Sequence, residues 1–224
     1  MRRLLLALAL LTLACPLAAA APPAPGTIPI PSALAAPPAP GTRCIVLLVT
    51  LGHFPRELTD AVEKRLREDL QVDVRRLDDL GLPKAAYYPP RKRYRADRLL
   101  EHLDTIAAGA PAGTRVLGMT DVDISTTKGK VTDWGVFGLG EIGRRNCVIS
   151  MFRLKRGARN FEHLALRIGT TAVHEIGHTL GLPHCPTEGC VMQDAEGSIY
   201  NTDHGTGKPC KYCRETIDRL VPIK

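Results

Sequence analysis

One stretch near the C-terminus restricts the fold more than any other: His174-Glu175-Ile176-Gly177-His178-Thr179-Leu180-Gly181-Leu182-Pro183-His184, followed by Cys185, Cys190, Met192, Cys210 and Cys213. Histidines four apart share one face of a helix, so His174 and His178 can grip one ion. Gly181 accepts a left-handed cap and Pro183 cannot continue the turn, so the helix has to stop there. The chain then reverses and brings His184 back as a third ligand. Zinc that does chemistry takes three protein ligands and keeps a position open. Three neutral imidazoles leave most of the ion's charge available to acidify a water, and Glu175, beside the ligand face, is placed to take and return its proton. A bare H-E-x-x-H arises by chance on ordinary helices. The glycine and third histidine at these spacings point to a metal site.

The four cysteines form two short-spaced pairs, Cys185-x4-Cys190 and Cys210-x2-Cys213. Two such knuckles make a closed four-thiolate zinc site. Two local disulfides are the alternative. Zinc is favoured because C-x-x-C disulfides are usually redox-active and no thioredoxin-like pattern surrounds this one. His184 and Cys185 are neighbours, so the two expected zinc ions, one catalytic and one structural, would share a loop.

The full pattern, H-E-x-x-H-x-x-G-x-x-H-C-x4-C-x-M-x17-C-x-x-C, resembles the signature of the archaemetzincin family of zinc metallopeptidases at every defined position. The close resemblance covers residues 173–213, and a looser one reaches back to about Cys44. It implies an α/β (α+β) metzincin-like zincin fold: a mixed twisted sheet, an active-site helix and a small C-terminal zinc-bound subdomain. It implies His174, His178 and His184 on the catalytic zinc, Glu175 as general acid/base, and Cys185, Cys190, Cys210 and Cys213 on the structural zinc. Met192 falls at the family's Met-turn, an apolar floor below the catalytic metal. Without the resemblance, Met192 reads as core packing.

The N-terminus departs from that family. Arg2 and Arg3 precede an apolar run at residues 4–13, and Ala18-Ala19-Ala20 offers a small-residue cleavage site. Residues 1–20 therefore read as a signal peptide, too short for a comfortable membrane span. The expected location is exported, periplasmic or secreted. Cys15 raises the alternative of a lipid-anchored protein, although Thr12-Leu13-Ala14 fits a lipobox poorly. Residues 21–42 repeat Ala-Pro-Pro-Ala-Pro-Gly-Thr and read as an extended, semi-rigid linker. Residues 43–224 are the right length for one metallopeptidase domain with its own core.

Lysine and arginine total 30 against 23 acidic residues, a mild excess that does not identify a nucleic-acid binder. A peptide or protein substrate, no nucleic acid, no transmembrane span in the mature chain and a monomeric state are expected. The densest basic run, Arg91-Lys92-Arg93-Tyr94-Arg95, reads as a solvated helix face, with a substrate-approach surface as the alternative. Cys44 and Cys147 are outside the zinc set. They read as two buried thiols, or as one disulfide in an oxidising compartment.

Apolar patterning predicts strands over 44–49, 72–77 and 114–120, and helices over 55–70 and 94–107. Residues 134–139 or 146–152 are candidates for an edge strand that pairs with an extended substrate. Asn160 is the expected N-cap of a helix running to Leu180, with Leu164, Ile168 and Ala172 against the sheet. A last helix is expected over 214–220. His53, His102, His163 and His204 read as surface or structural groups. Two other readings compete: a zinc-dependent peptide-binding protein without turnover, which would not need Glu175, and a thiolate-zinc module for nucleic acid, which the charge disfavours.

Overall fold

The computed structural model describes Ile28 and residues 30–223. The expected signal peptide with Cys15, and the first part of the linker, lie outside the described residues. In chain order the elements are α1 (Ser32–Ala35), β1 (Ile45–Thr50), α2 (Arg56–Leu70), β2 (Asp73–Arg76), β3 (Tyr87–Tyr88), β4 (Arg93–Arg95) and α3 (Ala96–Gly109). They continue with β5 (Arg115–Thr120), β6 (Ile124–Lys128), β7 (Val131–Val136), β8 (Gly138–Gly140), β9 (Asn146–Ser150), α4 (Met151–Leu154), α5 (Phe161–Thr179), α6 (Tyr200–His204) and α7 (Lys211–Leu220).

The main sheet has the order β2-β1-β5-β9-β8. Its first four strands are parallel, and β8 joins antiparallel to β9. A parallel strand covered on both faces has to be apolar throughout, and β1, Ile-Val-Leu-Leu-Val-Thr, is buried at every position. Its side chains divide by parity. Val46 and Leu48 enter the cluster formed with α2 and α5, while Ile45, Leu47 and Val49 enter the one formed with α3. Ile168 and Ala172 of α5 pack into the first cluster as the sequence predicted, with Leu164 at its margin. The mixed α/β architecture agrees with the expected fold class.

The second sheet, β3-β4-β6-β7, was not foreseen. It contains Arg93-Tyr94-Arg95 as β4, so the basic run is not a helix face. Arg93 is half-buried between Asp123 (3.2 Å) and Asp133 (3.3 Å), which makes it a strut between strands. The linker also differs from a free spacer in its described part. Ile28, Ile30 and Leu34 lie against the α3-side core, and Arg75 donates to the carbonyls of Leu34, Ala36 and Pro37. Proline-rich backbone leaves carbonyls unpaired, and Arg75 satisfies three of them.

No disulfide joins Cys44 to Cys147. Cys147 lies opposite Leu117, which lies opposite Leu48, four residues beyond Cys44. Strand geometry then separates the two cysteines by about 16 Å, whereas a disulfide needs Cα atoms within about 7 Å. No helix among the described residues is long and apolar enough to cross a membrane.

Arg167 of α5 is 3 % exposed and ties three elements together. It donates to both oxygens of Asp203 on α6 (2.7 Å each) and to the carbonyls of Leu154 and Arg156. His163, outside the motif, donates from Nε2 to Asp203 (3.0 Å) while its Nδ1 accepts from the Arg159 N–H. The Arg167 guanidinium, helped by His163 and opposed by partial burial, pulls the Asp203 carboxyl down to about 2. Because the folded value is depressed, this stabilisation is complete above the unfolded value near pH 4 and is lost as pH falls towards 2. Asp203→Asn should cost about 3 kcal/mol at pH 6 by leaving Arg167 without its counter-charge. The gap to wild type, read from urea midpoints, should narrow between pH 4 and pH 2. A gap independent of pH would refute the charge pairing.

Candidate metal centre

Helix α5 starts where the sequence placed it. The Asn160 side chain accepts from the His163 N–H (2.9 Å), and Glu162 sits in the first turn, where the helix dipole favours an acid. It ends in a Schellman turn: Leu182 N–H reaches the Gly177 carbonyl, Gly181 N–H reaches that of His178, and Gly181 has φ +100°. That turn has a chemical consequence. It aims the Leu182 carbonyl at His178 Nδ1, 2.8 Å away. His174 Nδ1 donates in the same way to the Val191 carbonyl, at 2.7 Å. Both rings therefore carry their proton on Nδ1 and turn the Nε2 lone pair inward.

The two inward Nε2 atoms face each other at 3.0 Å. Two lone pairs at that distance repel unless a cation lies between them, and tetrahedral zinc–imidazole geometry sets such nitrogens about 3.4 Å apart. His184 completes the group, with the ligand atoms of all three histidines within 4.8 Å of one another. It is the exposed member, and its Nδ1 lies 3.6 Å from an Asp194 oxygen. Burial, and then the neighbouring His178 ring, push His174 down to about 4, and burial also lowers His178. The helix imidazoles are thus neutral at pH 7, the form that ligates a metal.

Cys185, Cys190, Cys210 and Cys213 form a second cluster within the same limit. Cys185 to Cys210 and Cys190 to Cys213 are each 3.8 Å between sulfurs. Disulfide sulfurs lie about 2.05 Å apart, and four thiolates around one zinc lie about 3.8 Å apart. The spacing fits a shared ion and not two disulfides. The Cys210 N–H points at Cys190 Sγ, as a knuckle's backbone does. The clusters meet at His184–Cys185, where Cys185 N–H donates to the Met192 carbonyl. Met192 is fully buried, and a Cβ on Gly177 would come within 2.5 Å of its sulfur. Gly177, the first glycine of the motif, thus makes room for Met192 against the helix.

Glu175 lies under β8 and is 7 % exposed. The Gly140 N–H donates to its carboxylate, and burial outweighs that bond and raises it to about 8. Of the two candidate substrate-pairing runs, 146–152 is ruled out as an edge: β9 lies between β5 and β8, and residues 151–152 open α4. The edge is β8, within the 134–139 alternative and one residue beyond it. A Cβ on Gly138 would stand 2.6 Å from Glu175 Oε1, and one on Gly140 would stand 2.7 Å from the Glu175 carbonyl. Gly138-Leu139-Gly140 is a G-x-G inside a strand, the one sequence signal that could have marked this close approach. Gly140→Ala should lower turnover at least tenfold with the zinc content unchanged, because β8 must lift and take its N–H away from Glu175. Activity within twofold of wild type would show that the strand tolerates the methyl group.

His174, Glu175, His178, His184 and β8 all line one cleft of about 670 Å³. Its far walls are formed by β6, β7 and residues 193–202. Asp203 and His204, next to that wall, have structural roles: Asp203 holds Arg167, and His204 stacks on Tyr200 at 4.2 Å.

Comparison with known proteins agrees with this geometry. The model of peptidase family M54 matches residues 43–219. An archaemetzincin of Halobacterium salinarum is 29 % identical over 177 residues, covering 76 % of this chain and 97 % of that protein. That of Methanopyrus kandleri is 32 % identical over 163 residues, covering 72 % and 87 %. The crystal structure of the Methanopyrus kandleri archaemetzincin superposes with a TM-score of 0.66 at 30 % identity, over 80 % of this chain and 96 % of that one. The Archaeoglobus fulgidus archaemetzincin, solved in complex with malonate, gives 0.65 at 28 % identity, over 77 % and 99 %. With its histidine and cysteine clusters assembled inside the matched span, the chain belongs to peptidase family M54, the archaemetzincins, and is a zinc metallopeptidase.

Proposed function

We propose that this peptidase holds two zinc ions per chain, one on His174, His178 and His184 and one on the four cysteines, and hydrolyses peptide bonds with Glu175 as general acid/base. The observation that carries the reading is the position of Glu175: buried, held by the Gly140 N–H, and in the same cleft as the three histidines. When bound, the catalytic zinc supplies Lewis-acid chemistry, polarising a carbonyl and acidifying water. The chain's own residues do the rest. Glu175 takes the proton of the attacking water and returns it to the leaving amine. Burial raises its pKa in the metal-free protein, and a bound zinc would draw it back down towards the carboxylate form that accepts the proton. The edge strand β8 offers main-chain groups to an extended peptide, which gives binding with little sequence demand.

Zinc-loaded protein should cleave components of a peptide mixture that metal-free protein leaves intact. A folded protein carrying two zinc ions and inert towards broad peptide libraries would overturn the hydrolytic reading. We further propose export, supported by Arg2, Arg3 and the apolar run that follows them in the sequence. Intact mass of the mature protein tests cleavage near Ala20 against lipidation at Cys15.

A further inference from the structure

Trp134 of β7 and Gly197 of the loop after Met192 both line the cleft and lie against each other: a Cβ on Gly197 would lie 2.7 Å from the Trp134 ring. Gly197 has φ +80°, so both its backbone and its lack of a side chain let the walls meet. This contact narrows the cleft on the side reached from β8 by going back along the chain through Phe137 and Val136. Lys128 and Arg156 bring positive charge to the cleft, partly offset at Lys128 by the Asp194 carboxylate, which lines the same cleft. Lys128 Nζ lies over the Trp134 ring, 5.6 Å from its centroid, and Arg156 lies over Phe152 at 5.1 Å. Among the described residues neither has a carboxylate at ion-pair distance, whereas the neighbouring Arg153 is taken up by Asp123 at 2.7 Å. The opposite end carries Glu141, whose carboxylate is already held by Arg144 at 3.1 Å.

A peptide that adds antiparallel to β8, the commoner pairing, runs with its C-terminal half towards Trp134. A narrowed end carrying Lys128 suits a terminal carboxylate better than further chain. We infer that this enzyme acts on peptides from the C-terminal side, with Lys128 binding the terminal carboxylate against the Trp134–Gly197 stop and Arg156 adding to the positive field. The inference rests on the hydrolytic reading for the cut itself, but carboxylate binding stands apart from turnover.

Trp134 is the only tryptophan of the chain and forms part of the stop, so its fluorescence reports occupancy. The test uses zinc-loaded Glu175→Gln protein, which binds without turnover, titrated with N-acetyl-trialanine bearing a free or an amidated C-terminus. The free acid should bind at least about tenfold more tightly, the scale of one charged hydrogen bond. Lys128→Ala should erase that difference, and Lys128→Arg should keep it. A carboxylate can also come from a side chain, so an amidated peptide with glutamate as its last residue forms a third arm. If it binds as well as the free acid, the terminal-carboxylate assignment is overturned. Equal binding of the first two peptides overturns the basic end altogether. With wild-type enzyme, a hexapeptide should lose one or a few C-terminal residues. Removal of N-terminal residues, or mid-chain cleavage indifferent to amidation, overturns the inference while leaving the hydrolytic reading intact. Tight binding of the free acid without any hydrolysis does the reverse.

Discussion

Glu175→Gln leaves the zinc content unchanged and lowers kcat by about 10²–10⁴-fold, the usual contribution of a positioned acid/base. The substitution is isosteric. A glutamine oxygen can still accept from the Gly140 N–H, and the side chain fills the same buried volume under Gly138. His174 and His178 keep their carbonyl partners at Val191 and Leu182, so nothing in the imidazole set moves. What is lost is the capacity to take a proton and give it back. That loss appears in kcat with KM little changed, because the interaction belongs to the transition state. In energy it corresponds to about 3–5 kcal/mol of barrier. Metal analysis and steady-state kinetics on the same preparation decide the matter. Activity within threefold of wild type at full zinc would remove Glu175 from the proton path. The change differs in kind from Gly140→Ala, which keeps the carboxylate and displaces the strand that holds it.

Cys213→Ser should have the largest effect on metal content, lowering it from the proposed two zinc ions per chain to less than one after brief chelator treatment. Cys213 is 2 % exposed and lies 3.8 Å from Cys190 Sγ, so a neutral hydroxyl there takes one thiolate out of a closed set. Structural zinc sites contribute about 10–16 kcal/mol to the folding of small domains. Residues 185–210 have little regular structure of their own apart from α6. Without the ion the loop loses its anchor, and two features of the first site depend on that loop. His184 is joined directly to Cys185, and the Val191 carbonyl that orients His174 follows Cys190. Catalytic zinc should therefore dissociate at least tenfold faster from Cys213→Ser than from wild type, about 1.4 kcal/mol of coupling. A variant that loses the thiolate zinc and keeps the other at its normal rate would show that the two sites are independent.

How far the sequence could be read depended on the range of the interactions. Helix α5 was legible from Asn160 to Leu180 because cap, apolar spacing and terminating glycine are local signals. The strands β1 and β5 were legible as apolar runs because burial on both faces confines their polar residues, Thr50, Arg115 and Thr120, to the strand ends. The second sheet was not, since β4 is three residues of Arg-Tyr-Arg and its burial comes from aspartates at 123 and 133. The same holds for Arg167 and Asp203, 36 positions apart, and for Arg75 with the proline-rich segment. At the site, the ligand candidates were legible from spacing alone. The carbonyls of Val191 and Leu182, the N–H of Gly140 and the space at Gly138 and Gly177 were not, because backbone groups leave no mark on residue identity. Cys44 and Cys147 could not be separated from a disulfide pair until the register set them apart.

The placement of β6 and β7 has a wider consequence. Every residue that would touch metal comes from one continuous segment, residues 174–213, which begins on the helix α5 packed on the main sheet. The hairpin with Lys128 and Trp134 belongs to a different sheet and joins the cleft only as a wall. Substitutions there can redraw what the cleft admits without disturbing a single ligand. The molecule thus separates the reaction centre from a reader that can change independently, and diversification of substrate range within such a scaffold would be expected to accumulate in the hairpin.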